Sequence, residues 1–117
     1  MKRDDLQRLR DARDFAKFAQ ANAGGLSAES LAEADQPQHA ALYNLAVVGE
    51  ALNKVSVEVK NAAPDLPWRE AVELRNIIIH SYWQIDLEII AGVIKNRLDP
   101  LIAQLDGLIA TVEHSGR

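Results

Sequence analysis

One short stretch carries most of the reactive chemistry in this chain: Arg75-Asn76-Ile77-Ile78-Ile79-His80-Ser81-Tyr82. Histidine titrates near neutrality and can take or give a proton in a reaction. Arginine holds a permanent charge on a planar fork of donors that fits phosphate oxygens. An amide and a phenol beside them add hydrogen bonding. On a helix, Asn76 and His80 share a face, with Glu73 one turn earlier on it. Arg75 and His80 stand about 140° apart around an ideal helix. Either His80 sits at or past the helix end, or a two-fold axis joins Arg75 and His80 of two chains. The same residues also suit a plainer role, a satisfied structural histidine and a salt-bridging arginine.

Gly49-Glu50 is a second oddity. Glycine inside a helix costs about 1 kcal/mol against alanine. Close approach of another helix would account for it. Glu50 then lies beside the apolar face, where it could pair with a cation such as Arg75. His39 and His114 read as surface groups. No His-Glu-x-x-His or comparable spacing is present, so no bound metal is expected. Gly24-Gly25 lacks the lysine and strand of a phosphate-binding loop, and no cofactor is expected.

These residues must be positioned by helices. The chain has 117 residues, 48% of them apolar and 26% charged. That composition suits one soluble domain spanning residues 1–117. Cysteine is absent, which excludes disulfides, thiolate ligands and thiol catalysis. Lysine plus arginine is 13 against 17 acidic residues, a net charge of −4. A broad basic surface coating nucleic acid is therefore excluded, but a local basic pocket is not. The first 20 residues hold six basic and four acidic groups and no apolar secretory segment. No apolar run reaches the roughly 20 residues of a membrane span. A small cytoplasmic protein is the expectation.

Glycine and proline divide the chain. A first helix is expected from about Asp4 to Ala23, ending at Gly24-Gly25. Ser27 could cap a short helix over Ala28 to Ala34. A long amphipathic helix from about Pro37 to Asn61 would bury Leu42, Leu45, Val48, Leu52, Val55 and Val59 on one face. After Pro64-Asp65-Leu66-Pro67, a further helix runs toward His80. The isoleucine run alone would suit a strand, but no second strand is available to pair with it. Asp86 should cap a final segment from Leu87 to Val112, kinked or split at Pro100. The fold class is all-α, an up-down bundle of four to five helices. So small a core favours a homodimer.

The motif Arg-x4-His-x-Tyr, with Asn after the arginine, resembles the signature of the HepT-like family of the HEPN superfamily. Val48-Gly49-Glu50-Ala51-Leu52-Asn53-Lys54 resembles the family's Gly-Glu-Ala helix. Pro64-Asp65-Leu66-Pro67-Trp68 resembles the lead-in to the signature helix, and Gln84-Ile85-Asp86 the stretch after it. These blocks occur in order from Gln38 to about Leu101.

The resemblance implies a HEPN-like helical dimer with the signature helices near the two-fold axis. It implies a metal-independent endoribonuclease, the toxin of a toxin–antitoxin pair, with tRNA and mRNA both open as its target. Arg75 and His80 match the catalytic pair and Asn76 the accompanying polar residue. The implied partner is an MntA-like minimal nucleotidyltransferase antitoxin that transfers AMP to Tyr82. Glu50 and Glu73 would support the site from behind. A competing reading is a non-catalytic module that docks a nucleotidyltransferase and its substrate. A purely structural helical dimer is a more distant one.

Overall fold

A computed structural model describes residues 4–115. Every regular element among them is helical. In chain order these are α1 (Asp5–Ala23), α2 (Ala28–Glu33), α3 (Asp35–Asn53), α4 (Val57–Ala62) and α5 (Trp68–His80). A 3-10 turn (Tyr82–Gln84), α6 (Leu87–Asn96) and α7 (Leu98–Ser115) complete the chain. The isoleucine run lies inside α5 and is helical. No helix among the described residues is long and apolar enough to cross a membrane.

α3 is the central element, flanked by α1 and α5. α1 packs against α3, and its Ala12, Ala16, Ala19 and Ala23 are all buried. Small side chains at these steps of three and four let the two axes approach closely. Leu42, Leu45, Val48 and Leu52 of α3 fill the core, joined by Ile90 and Ile94 of α6 and Leu98 and Leu105 of α7. Burying one such side chain is worth about 1.5–3 kcal/mol.

Local signals set several boundaries. Ser27 caps α2 by accepting from the Ser30 N–H at 3.1 Å. Asp86 caps α6 by accepting from the Glu88 N–H at 2.9 Å. Gly25 takes φ 86, a left-handed turn after α1 that glycine adopts freely. The Trp68 indole N–H donates to the Ala63 carbonyl at 2.8 Å and fixes the entry to α5.

Among the described residues there are seven α-helices, because the long third segment is divided in two and the last segment is split, as its proline allowed. The expected Pro37–Asn61 helix stops at Asn53, and a new one starts after Ser56. The cause is a buried polar clamp. Asp5 accepts from the Ser56 N–H at 2.8 Å and from the Ser56 hydroxyl at 2.7 Å. A backbone N–H given to Asp5 is not given to an i−4 carbonyl. The last segment divides at Arg97, one turn before Pro100, and Pro100 sits in the first turn of α7.

Candidate active site

The close crossing of α3 and α5 builds the centre of the site. A Cβ on Gly49 would lie 2.4 Å from the Arg75 Cβ and 2.5 Å from the Ala71 carbonyl oxygen. No larger residue fits, so the mid-helix glycine is a requirement of the packing. The crossing sets Arg75 against Glu50, the next residue on α3. The Arg75 Nη2 donates to Glu50 Oε2 at 2.8 Å. Lys54 approaches Glu50 Oε1 at 3.4 Å from the next turn.

Partial burial pushes the Glu50 carboxyl up. A hydrogen bond from Lys54, the charges of Arg75 and Lys54, and the Arg75 hydrogen bond outweigh it. The net effect holds Glu50 below the ordinary carboxylate value. Glu50 is therefore ionised at neutral pH and partly compensates the Arg75 charge.

Arg75 also donates from Nη1 to Asn76 Oδ1 at 2.8 Å. Asn76 is thus turned to Arg75, which leaves its amide N–H groups free to donate outward. The Arg75 Nε is buried without a hydrogen-bond partner among the described residues. The guanidinium is half-buried and held on two sides, with its remaining Nη protons as the donors open to an anion.

His80 is the last residue of α5 and is exposed. The helix stays regular up to it, because the Ser81 N–H still bonds to the Ile77 carbonyl at 2.9 Å. Five regular residues place His80 about 7.5 Å along the axis from Arg75 and about 140° around it. Within one chain, Arg75 faces α3 while His80 faces outward beyond it. The backbone turns at Ser81 (φ −132, ψ 30) into the 3-10 turn that carries Tyr82.

Tyr82 is half-buried, and its hydroxyl meets the Nδ1 of His39 on α3. The two rings are nearly parallel, 6° between planes and 5.6 Å between centroids. Trp83 meets the Tyr82 ring edge-on at 5.3 Å. His39 was expected only as a surface group, and nothing local in the sequence ties it to a residue 43 positions away. Glu73 is exposed and takes no hydrogen bond or ion pair among the described residues. The structure does not bring it into the Glu50–Arg75–Asn76 group.

A surface depression on α6, lined by Glu88, Ile89, Gly92, Val93, Asn96 and Arg97, shares no residue with this group. Among the described residues, no three His, Cys, Asp or Glu side chains gather to hold a metal ion.

Comparison with known proteins places the chain in a family. The profile of a family described as "Ribonuclease HepT-like" matches residues 5–108. "Putative RNase MJ0127" of Methanocaldococcus jannaschii is 26% identical over 110 residues, 94% of this chain and 85% of that protein. "Putative RNase MJ1380" of the same organism is 34% identical over 58 residues, 50% of this chain and 53% of that protein. "Probable ribonuclease HepT" of Thermococcus cleftensis is 28% identical over 71 residues, 61% of this chain and 64% of that protein. No solved structure matches. The family profile covers α1 through most of α7, with the Gly49–Arg75 crossing and the Arg75–Tyr82 stretch inside it. The chain belongs to the HepT-like ribonuclease family.

Proposed function

We propose that this chain is a metal-independent endoribonuclease and the toxin of a toxin–antitoxin pair. The observation that carries the reading is Arg75: a guanidinium fixed by Glu50 and Asn76, on the helix that ends in an exposed His80. RNA brings its own nucleophile. The 2′-oxygen attacks the adjacent phosphorus, and the bond from that phosphorus to the 5′-oxygen breaks. The products are a 2′,3′-cyclic phosphate and a free 5′-hydroxyl. His80 takes the 2′-hydroxyl proton or gives one to the leaving oxygen. Arg75 steadies charge growing on the non-bridging oxygens, and donors held in place before reaction do this best. The amide of Asn76 adds a further donor.

A homodimer would complete the site. His80 and Arg75 point apart within one chain. Ile77, Ile79, Trp83 and Ile89 leave large apolar surface exposed on α5, the 3-10 turn and α6. A two-fold axis along this surface covers it and draws the two copies of Arg75 and His80 toward one cleft. Regulation follows from Tyr82. AMP placed there by an MntA-like nucleotidyltransferase adds bulk and negative charge two residues from His80, which blocks the cleft and repels RNA.

The test is cleavage of total RNA by the purified chain in EDTA. Wild type should yield 2′,3′-cyclic phosphate ends, while Arg75→Ala and His80→Ala lose at least about a hundredfold in rate. Cleavage by His80→Ala at the wild-type rate overturns the assignment. Absence of cleavage by wild type across RNA pools would leave the chain as a docking module for a nucleotidyltransferase.

A further inference from the structure

The two tyrosines of this chain differ in one decisive respect. Tyr43 is 63% exposed, and its ring meets the edge of Phe15 at 6.3 Å. Tyr82 is less exposed, yet its hydroxyl meets an imidazole nitrogen. His39 lies one helical turn before Tyr43 on α3, but its partner is Tyr82.

We infer that Tyr82 is an activated nucleophile and that His39 is the base that takes its phenolic proton. A free phenol ionises only near pH 10, so a tyrosine nucleophile at neutral pH needs a base at its hydroxyl. The Nδ1 of neutral His39, with the proton on Nε2, carries the lone pair for that step. The ring planes of His39 and Tyr82 lie 6° apart, and the Trp83 ring stands edge-on at 77°. His39 thus meets the phenol at its hydroxyl and Trp83 meets its ring edge-on, so the direction of the oxygen is set before any electrophile arrives.

The biological use of this pair rests on the nucleotidyl-transfer reading above. In that transfer, the Tyr82 Oη forms a bond to the α-phosphorus of a nucleoside triphosphate. The bond from that phosphorus to the pyrophosphate oxygen breaks, pyrophosphate leaves, and the phenolic proton passes to His39 Nδ1. The partner supplies and orients the triphosphate. The activation belongs to this chain, so it can be measured without the partner.

The probe is an aryl sulfonyl fluoride, which tyrosine oxygen attacks at sulfur with loss of fluoride and transfer of the phenolic proton. Labelling of Tyr82 and Tyr43 is followed by peptide mass spectrometry. In wild type, Tyr82 should react about tenfold or more faster than Tyr43, against the order of their exposure. His39→Gln keeps a polar group but not a base, and should bring Tyr82 below Tyr43. His39→Ala should do the same, and added imidazole should restore its Tyr82 rate, which repair of a purely structural contact would not do. Tyr43 labelling unchanged across the variants reports that the fold is kept.

Slower labelling of Tyr82 than Tyr43 in wild type overturns the inference. So does a wild-type rate in His39→Gln, or no imidazole rescue of His39→Ala. Incubation with an MntA-type nucleotidyltransferase and ATP separates the two ideas. Fast, His39-dependent labelling without nucleotidyl transfer to wild type upholds the activated tyrosine and overturns its reading as an acceptor of AMP.

Discussion

Glu50 pairs with Arg75 and partly compensates its charge. Its folded-state pKa lies below the ordinary value, so its contribution to stability has a definite sign in pH. That contribution is fully present above the unfolded value, about 4.5, and is lost as pH falls through the lower folded value. Glu50→Gln should therefore lower the melting temperature by a constant amount between about pH 6 and 8. The gap should narrow as pH falls below the ordinary carboxylate value and close once it is below the lower folded value. Glu50 is 38% exposed at its side chain, so solvent screening keeps the effect at or below about 1 kcal/mol. Thermal melts of both proteins across that range check it, and a gap that widens in acid contradicts it. The pairing was legible in the sequence because a mid-helix glycine beside a glutamate demands a close neighbour. The His39–Tyr82 contact was not legible. A histidine on the polar side of an amphipathic helix carries no local mark, and its partner is set by how α3 crosses the end of α5.

Proline acts on the helices through the carbonyl four residues back. Pro37 and Pro100 both stand third in their helices, where a missing N–H costs nothing because the first turn has no partners for it. The clash falls on Glu33 and Asn96, and those are the last residues of α2 and α6. The break near Pro100 was expected at the proline, but the physics places it one turn earlier. The break after Asn53 was hidden for another reason. Val55 and Val59 stay buried across it, so the apolar period runs on while the backbone bonds do not. Glycine positions give paired predictions. Gly49→Ala forces α3 away from α5 and should cost about 1–3 kcal/mol, with loss of RNA cleavage as Arg75 shifts. Gly107→Ala on α7 meets nothing within 4 Å and should stabilise by about 0.5–1 kcal/mol. Denaturant titrations of the two variants should therefore move in opposite directions. Movement of both in the same direction would contradict the account of the crossing.

The molecule is elongated, 47 × 25 × 21 Å, and carries a net charge of −4. If positive potential for RNA is confined to one local site, about two or three held phosphates are the expectation. On that basis KM for RNA should rise about tenfold between about 50 and 200 mM salt. A much steeper dependence would point to a broad basic surface that the composition does not provide. Association should run through the exposed apolar side chains of α5. Sedimentation of wild type should give twice the 12.9 kDa chain mass, while Ile79→Glu should give one chain and no cleavage. A monomeric wild type that still cuts RNA would remove the two-fold site. Trp83 gives this surface an optical label. It is 88% exposed and lies beside Tyr82, whereas Trp68 is partly buried with its indole N–H bonded. The emission of a dilute chain should divide into a red-edge component open to acrylamide and a bluer, protected one. Loss of the red-edge component on raising the protein concentration, or its quenching by added RNA, would read out events at this end of α5 without any added dye.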